Sequence, residues 1–205
     1  MNIGMKKLRK GIVMSTVLAC SLIFGSTVAG AESNVTNSKE TQSFTQAAST
    51  VSKKGVLTFP KKYSMKKVTS ELKPEAAKLM KIYAESLRTG KTKPFHTYVN
   101  KHVAEKSDDN WLIGRKYVRD GYSDKVKGMR KANSKDTLST YSKEVKKVTT
   151  SKVKTSHTYK GSGFATFQYD FQPANFNAFG TVTVQFKFTQ LKNGKYVLEN
   201  VYFVY

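Results

Sequence analysis

Cysteine is nearly absent. The 205-residue chain has one, Cys20, inside an N-terminal apolar run. The rest of the chain can form no internal disulfide and no thiolate metal site, and it has no thiol nucleophile. Histidine is scarce as well. His96 and His102 stand six apart, an offset that does not share a helical face, and no third ligand follows at a regular distance. They read as two surface histidines, and no metal or other cofactor is expected. Acidic residues are few, 14 against 36 Lys and Arg, for a formal net charge of +22. No Gly-x-Ser-x-Gly elbow occurs, and Gly161-Ser162-Gly163 leads into a strand, not a helix, so it is no phosphate loop. No catalytic set is assigned.

What is present begins with a leader. Lys6, Lys7, Arg9 and Lys10 precede an uncharged apolar run, Gly11 to Val28, and Ala29-Gly30-Ala31 is a small-x-small cleavage site. This reads as a signal peptide, 1–31, cut after Ala31. The alternatives are a retained membrane anchor and lipidation at Cys20, which follows Val17-Leu18-Ala19 as in a bacterial lipoprotein box. The expected product is secreted or associated with the cell envelope. The length of the leader is similar to those of Gram-positive bacteria. Residues 32–70 read as a flexible linker, polar at first and then basic, with an extended arm favoured over a short strand around Val56, Leu57 and Phe59.

Residues 71–205 read as a single α+β domain. A helix is predicted from Pro74, placed in its first turn, to Thr89. Ala76, Leu79, Met80, Tyr83, Ala84 and Leu87 form one stripe, and Gly90 closes it as a left-handed cap. Two shorter helices are predicted between Lys93 and Ala132, the second starting at Trp111 after Asp108-Asp109-Asn110. The β-branched content of 139–160 predicts a strand or strand pair there, although Leu138, Tyr141, Val145 and Val148 also fit helical spacing. Phe164 to Gln172 alternates as a strand.

The chain ends in a hairpin. Thr181 to Lys192 alternates, Asn193-Gly194 predicts a two-residue turn, and Tyr196 to Tyr205 returns. Lys192 then faces Lys195, and Phe186, Val184 and Val182 face Val201, Phe203 and Tyr205. One face is almost wholly apolar, and the helix stripe is its natural cover. The same register sets Glu199 opposite Phe188. It either lies at a solvated end of the ribbon, the favoured reading, or serves as a carboxylate in a pocket. Asp170 is expected to be solvated.

This order resembles the cone-shaped nuclear-transport-factor-two-like superfamily over Pro74 to Tyr205. The likeness lies in Ser86-Leu87-Arg88-Thr89-Gly90 ending a helix, a Tyr141–Val148 strand, the Phe164–Gln172 strand and the Thr181–Tyr205 hairpin. It implies N-terminal helices on a curved antiparallel sheet with a pocket between helix and sheet. Tyr83, Phe186, Phe188 and Glu199 are the candidate pocket residues, with Met80 beside them. Superfamily members include hydrolases, isomerases, carriers and interaction domains, so the likeness does not select a function. Lys160 to Phe167 is similar to a strand motif of RNA-recognition domains, but Ser162 stands where an aromatic belongs. No specific nucleic acid is expected.

Charge is the remaining signal. Residues 51–160 hold 28 basic and 10 acidic residues, while 161–205 hold 3 and 2. A field of this sign attracts polyanions such as anionic cell-wall polymers or lipid head groups. Lys61, Lys62, Lys66, Lys67, Lys146 and Lys147 are the candidate contacts. The expectation is a secreted non-enzymatic binding domain. The alternatives are a small-ligand carrier or enzyme with a helix–sheet pocket, and a secreted toxin or inhibitor.

Overall fold

The computed structural model describes residues 51–204 apart from 109, 175 and 177–179. The leader, its Ala31 cleavage site, Cys20 and residues 32–50 lie outside them. The described part is α+β: four helices on a curved, five-stranded antiparallel sheet that ends in a long hairpin. In chain order the elements are β1 Thr58–Phe59, α1 Met65–Thr89, α2 Lys93–His102, α3 Arg115–Ala132, α4 Lys135–Val145, β2 Lys154–Lys160, β3 Phe164–Phe171, β4 Val182–Gln190 and β5 Tyr196–Val204. The strands lie in the order β1-β5-β4-β3-β2.

The helix α1 organises the core. It starts nine residues before the predicted Pro74, because the apolar stripe runs on backward through Leu72 and Val68. Ser64 caps it there, its hydroxyl accepting the Lys67 N–H at 3.3 Å. Pro74 therefore sits inside the helix, where it removes one backbone bond. Burial of Val68 and Leu72 offsets that loss, each worth about 1.5–3 kcal/mol. Gly90, at φ 79°, ends the helix with its N–H on the Ser86 carbonyl.

Residues 51–70, expected as linker and arm, belong to the folded domain. Leu57 and Phe59 are fully buried, β1 pairs with the start of β5, and the Val51 N–H donates to the Glu71 carboxylate. The apolar residues of this segment outweigh its lysine pairs, because a two-residue strand is enough to seat Phe59 among Tyr63, Phe188 and Tyr196.

Two other expectations are corrected. Tyr141 to Val145 is the end of α4, not a strand, and strand structure begins only at Lys154. The three- and four-residue spacing of Leu138, Tyr141 and Val145 outweighed β propensity once Ser134 capped the helix through the Thr137 N–H. Trp111 to Gly114 is a loop, and α3 starts at Arg115.

The hairpin keeps the expected pairs Val184–Phe203 and Phe186–Val201 by a different route. Its turn has three residues, not two. The Leu191 N–H donates to the Lys195 carbonyl, the Gly194 N–H to Leu191, and Gly194 takes φ 82°. That shifts the pairing by one, so Phe188 meets Leu198. A β-bulge at Glu199 shifts it back before Asn200 meets Lys187.

Candidate functional site

The helix-covered face of the sheet is packed solid where a pocket was expected. Tyr83, Phe186 and Phe188 are all 0% exposed. Tyr83 stacks on Phe203 at 4.4 Å, and Phe188 packs against Phe59 at 4.7 Å. With Met80 also buried, these side chains are core.

Glu199 is not among them. The bulge places both Glu199 and Asn200 on the outer face, beside Lys187 and Thr189. Its carboxylate is 4% exposed and so does not lie at a solvated end of the ribbon. It accepts from the Thr189 hydroxyl at 2.5 Å and from the Ile113 N–H at 3.3 Å, and it pairs with the Lys187 ammonium at 2.9 Å. Both oxygens are engaged, so this carboxylate is committed to structure: it pins the 110–114 loop to the sheet. Asp170 likewise accepts from the Thr183 hydroxyl at 2.9 Å.

The histidines separate as well. His96 contacts the Ser123 hydroxyl at 3.0 Å, and His102 contacts the Gly55 carbonyl at 2.9 Å. Against expectation His102 is buried, packed on Tyr98. Burial holds both imidazoles below the usual histidine range; Arg119 adds to this at His96, and Lys78 and Lys101 at His102. Glu75 lies beside Tyr98 and His102, a grouping the sequence did not disclose. Tyr98 and His102 are each more than nine-tenths buried, so these two groups are closed to a substrate. Among the described residues no group of three or more candidate metal ligands gathers.

The six candidate lysines fall into two groups. Lys146 pairs with Glu85, which Arg88 also holds, and Lys147 pairs with Glu144 at 2.5 Å. The Arg88 and Lys146 bonds keep the Glu85 carboxyl below its usual range. Each of these two lysines therefore has a carboxylate beside it, although Lys146 shares Glu85 with Arg88.

Lys61 and Lys62 have different surroundings. They follow β1 and lead into Tyr63, whose ring packs on Phe59 and Tyr196. Lys160, at the end of β2, lies over that ring at 4.9 Å. Burial, with Tyr196 adding to it, pushes the Tyr63 phenol up to about 12, so the ring under Lys160 stays neutral. The side chain of Lys61 lies along the hairpin turn, so close that a β-carbon on Gly194 would sit 3.3 Å from it. Lys192 and Lys195 flank that glycine and Asn193. Lys61 and Lys195 share a cleft of about 330 Å³ with Ser52, Thr58, Phe59 and Gly194.

Lys66 and Lys67 occupy the first turn of α1, which carries no acidic residue. Lysines there oppose the helix dipole, where a carboxylate would be favoured. Among the described residues no ion pair involves Lys61, Lys62, Lys66, Lys67, Lys160, Lys192 or Lys195. Lys160, Lys192 and Lys195 were missed in the sequence. The two that flank Asn193-Gly194 could have been found from the turn itself.

Compared with known proteins, the chain matches no protein family, no curated protein and no solved structure. Among the described residues no helix is long and apolar enough to cross a membrane.

Proposed function

We propose that this chain is an exported, non-enzymatic binding domain held at the cell envelope by anionic polymers, which it engages through the lysine end of its sheet. The observation that carries the reading is the convergence there of Lys61, Lys160 and Lys195 from three separate stretches of chain, with Lys62 and Lys192 next to them in sequence and, among the described residues, no carboxylate paired with any of the five. Clustered cations repel one another and cost stability, and a polyanion relieves that cost on binding. Lys66 and Lys67 extend the same field along the α1 N-terminus. A filled interior beneath α1 favours a binding surface over a carrier or an enzyme of the cone-shaped kind. We read the architecture as nuclear-transport-factor-two-like in outline, on the Gly90-capped long helix and the three-stranded β3-β4-β5 meander. The added β1 edge and the helical Tyr141–Val145 segment depart from it.

The test is sedimentation of the protein with isolated Gram-positive cell walls across about 0.05–0.5 M salt, a range over which the screening length shrinks to a few ångströms. Binding should fall steeply with salt and collapse in a Lys61→Glu, Lys62→Glu, Lys192→Glu, Lys195→Glu variant. A Lys146→Glu, Lys147→Glu variant should bind nearly as well as the parent. Retention indifferent to salt overturns the reading.

A further inference from the structure

The outer face of the sheet leaves aromatic rings in water. Trp111, the one tryptophan of the chain, is 99% exposed, Tyr117 66% and Tyr202 38%. The loop carrying Trp111 is tied down. Leu112 is buried in a small outer cluster with Ala104 and Val197, and Glu199 holds the Ile113 N–H. The Asn110 side chain bonds Ser107, Glu105 and the Leu112 N–H. Arg115 anchors the far end on the Val103 carbonyl at 2.8 Å. A loop so constrained still holds its largest side chain off the protein, forgoing a hydrophobic gain of about 1.5–3 kcal/mol or more. Exposed rings rimmed by polar groups mark an interaction site.

Two clefts meet on this face. One, about 500 Å³, runs between α3 and β5; its floor includes Val201 and Phe203, and Tyr117, Lys125, Lys187 and Asn200 stand among its walls. The other, about 320 Å³, is lined by Trp111, Gly163, Phe164, Lys187, Thr189 and Glu199. Lys187 is their shared wall. The occupant must therefore offer flat apolar faces to separate rings and polar groups to the cation and amide between them. A wholly apolar partner would strip Lys187 and Asn200 of water without replacing it. A compact inorganic anion would leave the rings unused. A chain of pyranose sugars meets both demands, its C–H faces lying on the rings and its hydroxyls reaching Asn200 and Lys187. Lys125 donates to the Phe203 carbonyl and Lys187 pairs with Glu199, so two cations stand against one carboxylate, and the net positive charge favours acidic sugars. Among the described residues the one carboxylate in either cleft, Glu199, is already occupied by Thr189, Ile113 and Lys187.

We infer that this face is a binding site for an acidic glycan, a chain of sugar rings bearing carboxylate groups. The site is distinct from the lysine end and stands without it. Trp111 makes the test direct, because all tryptophan emission comes from the site. The full chain is titrated with a hyaluronan octasaccharide and with an oligogalacturonate octasaccharide, and with single-stranded oligothymidylate and phosphatidylglycerol vesicles for comparison. The expected result is a saturable emission change with at least one glycan. Tyr117→Ala should weaken that binding about ten-fold without changing the melting temperature, since the ring is mostly in solvent. The Lys61→Glu, Lys62→Glu, Lys192→Glu, Lys195→Glu variant should leave the Trp111 response to the octasaccharide in place, which separates this site from the lysine end. Silence with both glycans overturns the inference, and so does a saturable response confined to oligothymidylate or to vesicles. Glycan binding unaffected by Tyr117→Ala also overturns it.

Discussion

The two faces of the terminal hairpin are held by different physics. The inner face, Val184, Phe186, Phe188, Val201 and Phe203, is apolar and at most 4% exposed, and it is cemented to α1 by packing alone. The outer face has Lys187, Thr189 and Glu199 in one polar network, with Asn200 beside it and Trp111, Tyr117 and Tyr202 around it in solvent. The difference teaches that the inner face is optimised for stability and the outer face is not. Side chains left in water at a loss on a pinned scaffold are the ones available for recognition.

The largest effect should come from the inner face. Phe186 is fully buried against Tyr169 and paired across to Val201. Phe186→Ala is expected to cost about 3–5 kcal/mol, read as a lower urea midpoint with an unchanged slope. A loss below about 1 kcal/mol would mean that the inner face is loosely packed and would dissolve the contrast between faces.

Next comes the network of the outer face. Glu199→Ala leaves the Ile113 N–H and the Lys187 ammonium without their acceptor, at a cost of about 1–3 kcal/mol. The loss should be local. Amide exchange should speed at Ile113 and its neighbours while α1 stays protected, and Trp111 emission should change. If protection falls equally in α1, the two faces are one cooperative unit and the comparison is too sharp.

How much of this was legible follows the same division. Alternation in 182–190 and 196–204 declared the inner face, and the pairs Val184–Phe203 and Phe186–Val201 came out right. They did so because two departures cancel: a three-residue turn slips the register, and the bulge at Glu199 restores it. No pattern in side-chain polarity announces a bulge, so Glu199 was placed on the wrong face and grouped with Tyr83, Phe186 and Phe188. The end of α1 was legible through Gly90. Its start was not, since Pro74 fits a first turn as well as an interior position that packing supports. The lysine end was half legible. Lys61 and Lys62 stood out as a pair, but Lys160, Lys192 and Lys195 join them only through strand pairing. Lys146 and Lys147 looked equivalent to them until Glu85 and Glu144 were found alongside.

Acid should act mainly through groups away from both hairpin faces. His96 and His102 are held below the ordinary histidine range by burial. Below about pH 6.5 the unfolded chain takes up protons that the folded chain resists, so folding is linked to proton release. Their contribution is intact above that pH and is lost as pH falls through it toward the folded values. The melting temperature should therefore decline from neutral pH to about 5, and the decline should shrink in His102→Gln. An unaltered slope in that variant would assign the acid sensitivity to the carboxylates.

The smallest effect belongs to the paired lysines. Lys146 and Glu85 form an ion pair between α4 and α1 that is partly exposed on both sides, and such pairs are screened by water and salt. Arg88 remains on Glu85 when Lys146 is removed. Lys146→Ala should change stability by less than about 1 kcal/mol and leave cell-wall retention nearly unchanged. That outcome sharpens the contrast between paired and unpaired lysines, because Lys61→Ala, equally small in its effect on folding, should lower retention at low salt. If the two substitutions lower retention alike, the polymer responds to total charge and not to where the lysines converge. The lysine end would then be no more a site than any other basic stretch of the surface.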